Sequence, residues 1–248
     1  MPGHNEGMTP ANPPPISISR AHQKIIVALD FPAWPAAAAW LAARREAPLW
    51  VKVGLELFIA AGPAAITALK QRGHKIFLDL KIHDIPNTAA GAARAAAAWG
   101  VDLITVHAGG GPAMLAAAAQ ARGAGLRVVG VTVLTSLDQT QMAALDWPGS
   151  IQERVVKWAR LCQQAGLDGV VASAHEAAAL RAALGREFLI VTPGIRPQGT
   201  AAQDQARAVT PAEALRAGAD YLVMGRPLTQ AADPDAAWHE LNIDLAQR

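Results

Sequence analysis

Ile76-Phe77-Leu78-Asp79-Leu80-Lys81-Ile82-His83-Asp84-Ile85-Pro86-Asn87-Thr88 begins as an apolar run and ends as a polar turn ahead of an Ala-rich segment. Read as a strand over 76–81, its side chains alternate between two faces. Phe77, Asp79 and Lys81 then share one face, and Ile76, Leu78 and Leu80 share the other. A carboxylate and an ammonium stand side by side at the end of a buried strand, and Asp84 adds a second carboxylate in the turn. Charges in such a place are costly unless they pair. A bare D-x-K also fits an ion pair that merely caps a strand near the surface, so the rest of the chain decides between the two.

Outward from this strand the chain alternates. Apolar, β-rich runs occupy 24–30, 49–54, 102–107, 126–134, 168–172, 187–192 and 220–225. Helical segments, many of them Ala-rich, are predicted over 35–46, 63–72, 88–99, 112–122, 150–165, 174–184, 211–217 and 233–245. Gly73, Gly100, Gly166 and Gly218 stand where four of them stop. Short apolar strands between helices predict an all-parallel sheet. Eight such units predict an α/β protein of a single domain, a closed (β/α)8 TIM barrel over 24–248. An open doubly wound sheet is the alternative, but no G-x-G-x-x-G follows the first strand. No repeat beyond this alternation and no domain linker is read from the sequence. Residues 1–23 are expected to be a disordered N-terminal extension, rich in Pro, Asn, Ser and Gly and without the plan of a secretory signal.

Composition removes several function classes. A net charge of +2, from 22 basic and 20 acidic residues, provides no basic field for nucleic acid. No apolar run approaches the roughly 20 residues of a membrane span. A single cysteine, Cys162, excludes an internal disulfide and a thiolate metal cluster, and its apolar helical setting reads as core. A cytoplasmic setting is expected.

In barrels of this type the active site lies at the C-terminal ends of the strands. Those ends carry Asp30, Lys52, Asp79 with Lys81, His107, Thr135, Pro193-Gly194-Ile195-Arg196 and Gly225-Arg226. Gly225-Arg226, with Arg196 across from it, suggests a phosphate site: glycine admits backbone N–H groups and arginine supplies a bidentate charge. The loop over 193–205 is a candidate lid. Lys52, Asp79, Lys81 and Asp84 can alternate in sign and hold one another ionised. A protonated lysine beside a carboxylate can stabilise a carbanion and then protonate it. Metal binding by Asp79, His83 and Asp84 is the competing use, and two lysines in the same mouth oppose it. His83 reads as a structural hydrogen-bonding residue, and His107 as that or as pocket lining.

The string from Phe77 to Thr88 resembles the signature of the orotidine 5′-phosphate decarboxylase family, in its bacterial branch. So do Val27-Ala28-Leu29-Asp30, Lys52-Val53-Gly54, Val131-Thr132-Val133-Leu134-Thr135-Ser136, Thr192-Pro193-Gly194-Ile195-Arg196-Pro197-Gln198-Gly199 and Gly225-Arg226-Pro227. D-x-K-x-x-D alone is shared with sugar-phosphate decarboxylases and synthases of the same superfamily; the extension through Thr88 and the downstream Thr-Pro-Gly-Ile-Arg make the likeness specific. Ile82 departs from the family pattern, which commonly has a bulkier aromatic residue there.

The resemblance implies decarboxylation of orotidine 5′-phosphate to uridine 5′-phosphate in pyrimidine nucleotide synthesis, with no metal and no cofactor. It implies that Lys81 protonates ring C6, that Asp79 sits beside the substrate carboxylate, and that Lys52 contacts the ribose and supports Asp79. By the same resemblance Asp30 binds a ribose hydroxyl and Thr135, with Ser136 beside it, meets the pyrimidine. Arg196, Gln205, Gly225 and Arg226 grip the phosphate, with Gln198 as the alternative glutamine. Asp84 and Thr88 reach into the neighbouring site of a homodimer. Two rivals stand beside this: a magnesium-dependent keto-sugar-phosphate decarboxylase or synthase of the same superfamily, and a catalytically silent nucleotide-binding barrel.

Overall fold

The computed structural model describes residues 22–196 and 209–246. Strands β1 (Ile25–Ala28), β2 (Trp50–Gly54), β3 (Lys75–Ile82), β4 (Leu103–His107), β5 (Arg127–Val131), β6 (Gly169–Val171), β7 (Leu189–Thr192) and β8 (Tyr221–Met224) follow one another around a closed parallel barrel. The ring closes where Ile26 stands opposite Val223. The expected (β/α)8 barrel is the observed fold. Of the expected extension over 1–23, only His22 and Gln23 lie within the described residues; they form a 3-10 turn with Lys24.

The helices are α1 (Trp34–Ala42), α2 (Leu55–Ala61), α3 (Pro63–Gln71), α4 (Pro86–Ala98), α5 (Gly111–Ala121), α6 (Gln139–Ala144), α7 (Ile151–Gln164), α8 (Ala174–Leu184), α9 (Pro211–Arg216), α10 (Arg226–Thr229) and α11 (Pro234–Ala246). Proline in the first turn starts α3, α4, α5 and α9, where a missing N–H costs nothing. Reciprocal capping boxes start α6 (Asp138 with Gln141) and α7 (Ser150 with Glu153). The short helices α2, α6 and α10 are additions to the sequence reading. Gly54 is both the last residue of β2 and the N-cap of α2, so no loop residues announce that helix. None of the described helices is long and apolar enough to cross a membrane.

Strand alternation sorts the core into two layers. Ile26, Ala28, Trp50, Phe77, Leu103, Val129, Val191 and Val223 fill the barrel interior. Ile25, Val27, Ile76 and Leu78 face outward and pack in one cluster with helical residues such as Ala89, Ala96, Ala118 and Leu180. The interior is closed at its N-terminal end by Trp50, packed edge-on against Tyr221 at 5.3 Å, with the Arg127 guanidinium 5.5 Å from both rings. Among the described residues, the barrel interior is therefore blocked at this end.

The strand alternation is not the only repeat. Gly100-Val101-Asp102, Gly166-Leu167-Asp168 and Gly218-Ala219-Asp220 each lead into an even-numbered strand. Each aspartate accepts a backbone N–H from the preceding strand: Ile76 at 2.8 Å, Val128 at 2.7 Å and Ile190 at 2.8 Å. Its own N–H donates back to the carbonyl of that same residue. A cation from the wall completes each clasp, namely Lys70, Arg122 and Arg181. The glycines sit at φ of 73°, 85° and 109°, which a side chain at that position would resist. These clasps hold the strand register at the end opposite the mouth.

Candidate active site

The C-terminal strand ends surround a cavity of about 260 Å³, lined among others by Asp30, Lys52, Phe77, Asp79, Lys81 and Thr135, and by Arg196, Gly225 and Arg226. Residues from seven of the eight strands or the loops after them, all but β4, thus converge on one space. Its wall near Thr135 is apolar, with Val131, Val133, Val171 and Ala172.

The charges in it alternate. Lys52 Nζ lies 2.9 Å from Asp30 Oδ1 and 3.9 Å from Asp79 Oδ2. Lys81 Nζ lies 2.9 Å from that same Asp79 oxygen. The side chains of Lys52 and Asp79 are 12% and 13% exposed, so each has the other as a charged neighbour in a largely dry setting. The outer members are wetter, Asp30 at 53% and Lys81 at 35%. Two positive and two negative groups leave the array formally neutral.

The expected set Lys52, Asp79, Lys81 and Asp84 is brought together only in part. Asp30 takes the fourth place, because β1 neighbours β2 and sets Ala28 opposite Lys52. Asp84 is exposed in the turn after β3, where its Oδ1 accepts the Ile85 N–H at 2.6 Å, and it joins no ion pair among the described residues. Thr88 is exposed in the first turn of α4. Neither lines the cavity. Arg196 is 7% exposed and reaches the cavity from beyond β7. Gly225 packs the end of β8 against β1: a Cβ there would meet Ala28 and Asp30 at 3.4 Å. Gln205 and Gln198 lie outside the described residues, as does most of the candidate lid over 193–205.

Lys81 reaches the mouth by a backbone departure that simple alternation does not foresee. Leu78 pairs with Ile104, but the next pair is Ile82 with Val106. Two extra residues are therefore accommodated in β3 as a bulge, and Lys81 adopts φ 50° within it. A left-handed conformation at a non-glycine residue costs about 1 kcal/mol or more and persists only where its surroundings enforce it. Here the Lys81 N–H donates to Thr105 Oγ1 at 2.8 Å, and Thr105 Oγ1 donates to Asp79 Oδ1 at 3.0 Å.

From the sequence Thr105 had no role, and Gly54 stood only as part of Lys52-Val53-Gly54. The signal for Thr105 was a polar residue inside the apolar run of β4; its partners emerge only from the register of β4 on β3. Gly54 stands where a Cβ would come within 2.8 Å of Lys52 Nζ.

His83 and His107 stack face to face, with ring centroids 5.1 Å apart and planes 5° from parallel. His107 Nδ1 accepts the Gly109 N–H at 3.1 Å, and Trp158 packs edge-on against its ring. Burial, reinforced by the positive charges of His83 and Lys81, pushes the His107 pKa below its ordinary 6.5. Both histidines stand outside the cavity lining. Asp79, His83 and Asp84 do not converge, and no three such ligand groups do so among the described residues. Cys162 is buried in the core against Gly130, its thiol pushed up to about 12 by burial, which makes it chemically inert.

Over residues 23–241 the sequence matches the family described as orotidine 5′-phosphate decarboxylase / HUMPS. It is 54% identical over 215 residues to the orotidine 5′-phosphate decarboxylase of an Anaeromyxobacter species (strain K), covering 87% of this chain and 95% of that one. It is 53% identical over 236 residues to that of Moorella thermoacetica, covering 91% and 93%. Among solved structures, the orotidine 5′-phosphate decarboxylase of Lactobacillus acidophilus superposes with a TM-score of 0.79 at 37% identity, covering 89% of this chain and 97% of that one.

Proposed function

The chain belongs to the orotidine 5′-phosphate decarboxylase / HUMPS family, and from that premise we propose that it converts orotidine 5′-phosphate to uridine 5′-phosphate and carbon dioxide in pyrimidine nucleotide synthesis. The observation that carries this reading is the alternating array Asp30, Lys52, Asp79, Lys81 in a cavity that also holds Arg196 and Arg226. An anionic nucleotide finds its counter-charges there, and a departing carboxylate finds a carboxylate and an ammonium side by side.

In the proposed reaction the bond from ring C6 to the carboxyl carbon breaks, carbon dioxide leaves, and the electron pair stays on C6. Lys81 stabilises that developing charge electrostatically and delivers an Nζ proton to C6. Its neutral amine then regains a proton from solvent. Asp79 faces the substrate carboxylate, and the repulsion between them is relieved as that charge departs. Lys52, held between Asp30 and Asp79, fixes the position of Asp79 and meets the ribose, whose hydroxyl Asp30 also binds. Thr135 meets the pyrimidine; Arg196, Gly225, Arg226 and Gln205 hold the phosphate. Binding energy from that remote phosphate lowers the barrier at the base.

The reaction proceeds without metal or cofactor, since the carbanion is stabilised by a lysine already in place. The enzyme is a cytoplasmic homodimer in which Asp84 and Thr88 enter the partner's site. Support for the dimer is the exposure of Asp84 and Thr88, with Ile85 between them 66% exposed, and the further large apolar groups left exposed on α2, Ile59 at 80% and Leu55 at 50%.

The test is decarboxylation of orotidine 5′-phosphate by the purified protein, followed by ultraviolet absorbance with and without chelator. Turnover indifferent to chelator is expected. Magnesium-dependent activity on a keto-sugar phosphate would establish the superfamily rival, and tight uridine monophosphate binding without turnover would establish a silent barrel.

A further inference from the structure

We infer that Thr105 is a positioning residue of this site, holding the Asp79 carboxylate and the left-handed Lys81 backbone in one geometry. The inference rests on the decarboxylase reading above. Thr105 is fully buried in the middle of β4 and lies beneath the cavity rather than in its lining. It therefore acts through its two neighbours and not on substrate.

The chemistry of the three groups fixes the direction of both bonds. An amide N–H can only donate, so Thr105 Oγ1 accepts from Lys81 N at 2.8 Å. An ionised carboxylate can only accept, so the hydroxyl proton points to Asp79 Oδ1 at 3.0 Å. One hydroxyl thus spends its donor on Asp79 and a lone pair on Lys81. Asp79 is held from two sides: Oδ1 by Thr105, and Oδ2 by the Lys81 ammonium at 2.9 Å. The carboxylate plane is consequently set, and with it the direction in which the Lys81 ammonium is drawn.

The same hydroxyl sits where the β3 bulge needs an acceptor. Between the pairs Leu78 with Ile104 and Ile82 with Val106, the ladder has no regular partner for the extra residues. Thr105 lies opposite that interval and supplies by side chain what the strand backbone does not. Its branched Cβ limits the rotamers available to the hydroxyl. A serine keeps the hydroxyl with less restriction; a valine keeps the shape and loses both bonds.

The experiment compares Thr105→Val and Thr105→Ser with the parent enzyme for kcat and KM on orotidine 5′-phosphate, for uridine monophosphate affinity and for melting temperature. Expected is a fall in kcat of about 10- to 100-fold in T105V, the scale of a lost hydrogen bond to a charged group, with KM and nucleotide affinity nearly unchanged and substantial recovery in T105S. Should valine crowd the barrel and prevent folding, Thr105→Ala provides the same comparison. An unchanged kcat in a folded T105V or T105A overturns the inference. So does a loss shared equally by kcat, nucleotide affinity and melting temperature that serine does not repair, since that marks an ordinary core residue. A parent protein that leaves orotidine 5′-phosphate untouched refutes the reading of the site and the inference with it, whereas an active parent with an indifferent variant refutes the inference alone.

Discussion

Gly54→Ala offers a test of the charge array that leaves every charge in place. Gly54 adopts φ −91° and ψ −178°, which alanine accepts without strain. The added methyl would nevertheless lie 2.8 Å from Lys52 Nζ and 3.4 Å from Asp30 Oδ1. Restoring an ordinary contact of 3.4 Å moves the ammonium by about 0.6 Å. The end of a lysine side chain yields easily, and a Gly→Ala change at a compatible position stabilises by about 0.4–1 kcal/mol through the unfolded state. Folding stability should therefore stay within about 1 kcal/mol of the parent. The site is less forgiving, because Lys52 Nζ is set at 2.9 Å from Asp30 and 3.9 Å from Asp79. Misplacement by 1 Å can cost about 100-fold in rate, so a shift of just over half that distance should lower kcat/KM by about tenfold. The assay is steady-state decarboxylation beside a urea melt. A variant of unchanged stability and unchanged kcat/KM would refute the claim that the position of Lys52 matters; an unfolded variant would refute the claim that the methyl is accommodated by the side chain alone.

Lys81→Ala and Asp84→Ala should each abolish most turnover, yet an equal mixture refolded together should recover about a quarter of the parental activity, because half the dimers then carry one intact site; no recovery would exclude a shared site. Asp220→Ala removes the acceptor for the Ile190 N–H at 2.8 Å and the partner of Arg181, and should cost about 2–3 kcal/mol in urea unfolding with kcat unchanged. A stability change below about 0.5 kcal/mol would show the clasp to be incidental. Burial lowers the pKa of both His74 and His107 below 6.5, opposed at His74 by its hydrogen bond to Pro48. The unfolded chain then binds more protons as pH falls through 6.5, so the stability of the neutral buried rings is present above that pH and lost below it. Urea melts at pH 7.5 and 5.5 should show this loss, and His107→Asn, which keeps an acceptor for the Gly109 N–H, should reduce it; an identical slope in the variant would remove His107 from the account.

The alternation of apolar strands with Ala-rich helices is a local property of the chain, and it was enough to predict the barrel, its eight strands and the end at which polar residues gather. Asp79, Lys81 and Lys52 were legible for the same reason: a charge at the end of an apolar strand is conspicuous in one dimension. Local periodicity does not contain register. Only the register of β1 on β2 brings Asp30 beside Lys52, and only the offset of β3 against β4 creates the bulge that turns Lys81 to φ 50° and makes Thr105 its acceptor. The G-x-D clasps were invisible for a related reason, since three short tripeptides become a repeat only when each aspartate finds the N–H of the preceding strand. Helix α2 was missed because Gly54 serves strand and helix at once and leaves no punctuation between them. The sequence by itself determined which segments bury which faces, because that depends on side chains a few residues apart. The tertiary structure alone decided which charges meet, because a hydrogen bond of about 3 Å depends on the relative placement of strands that are distant in the chain.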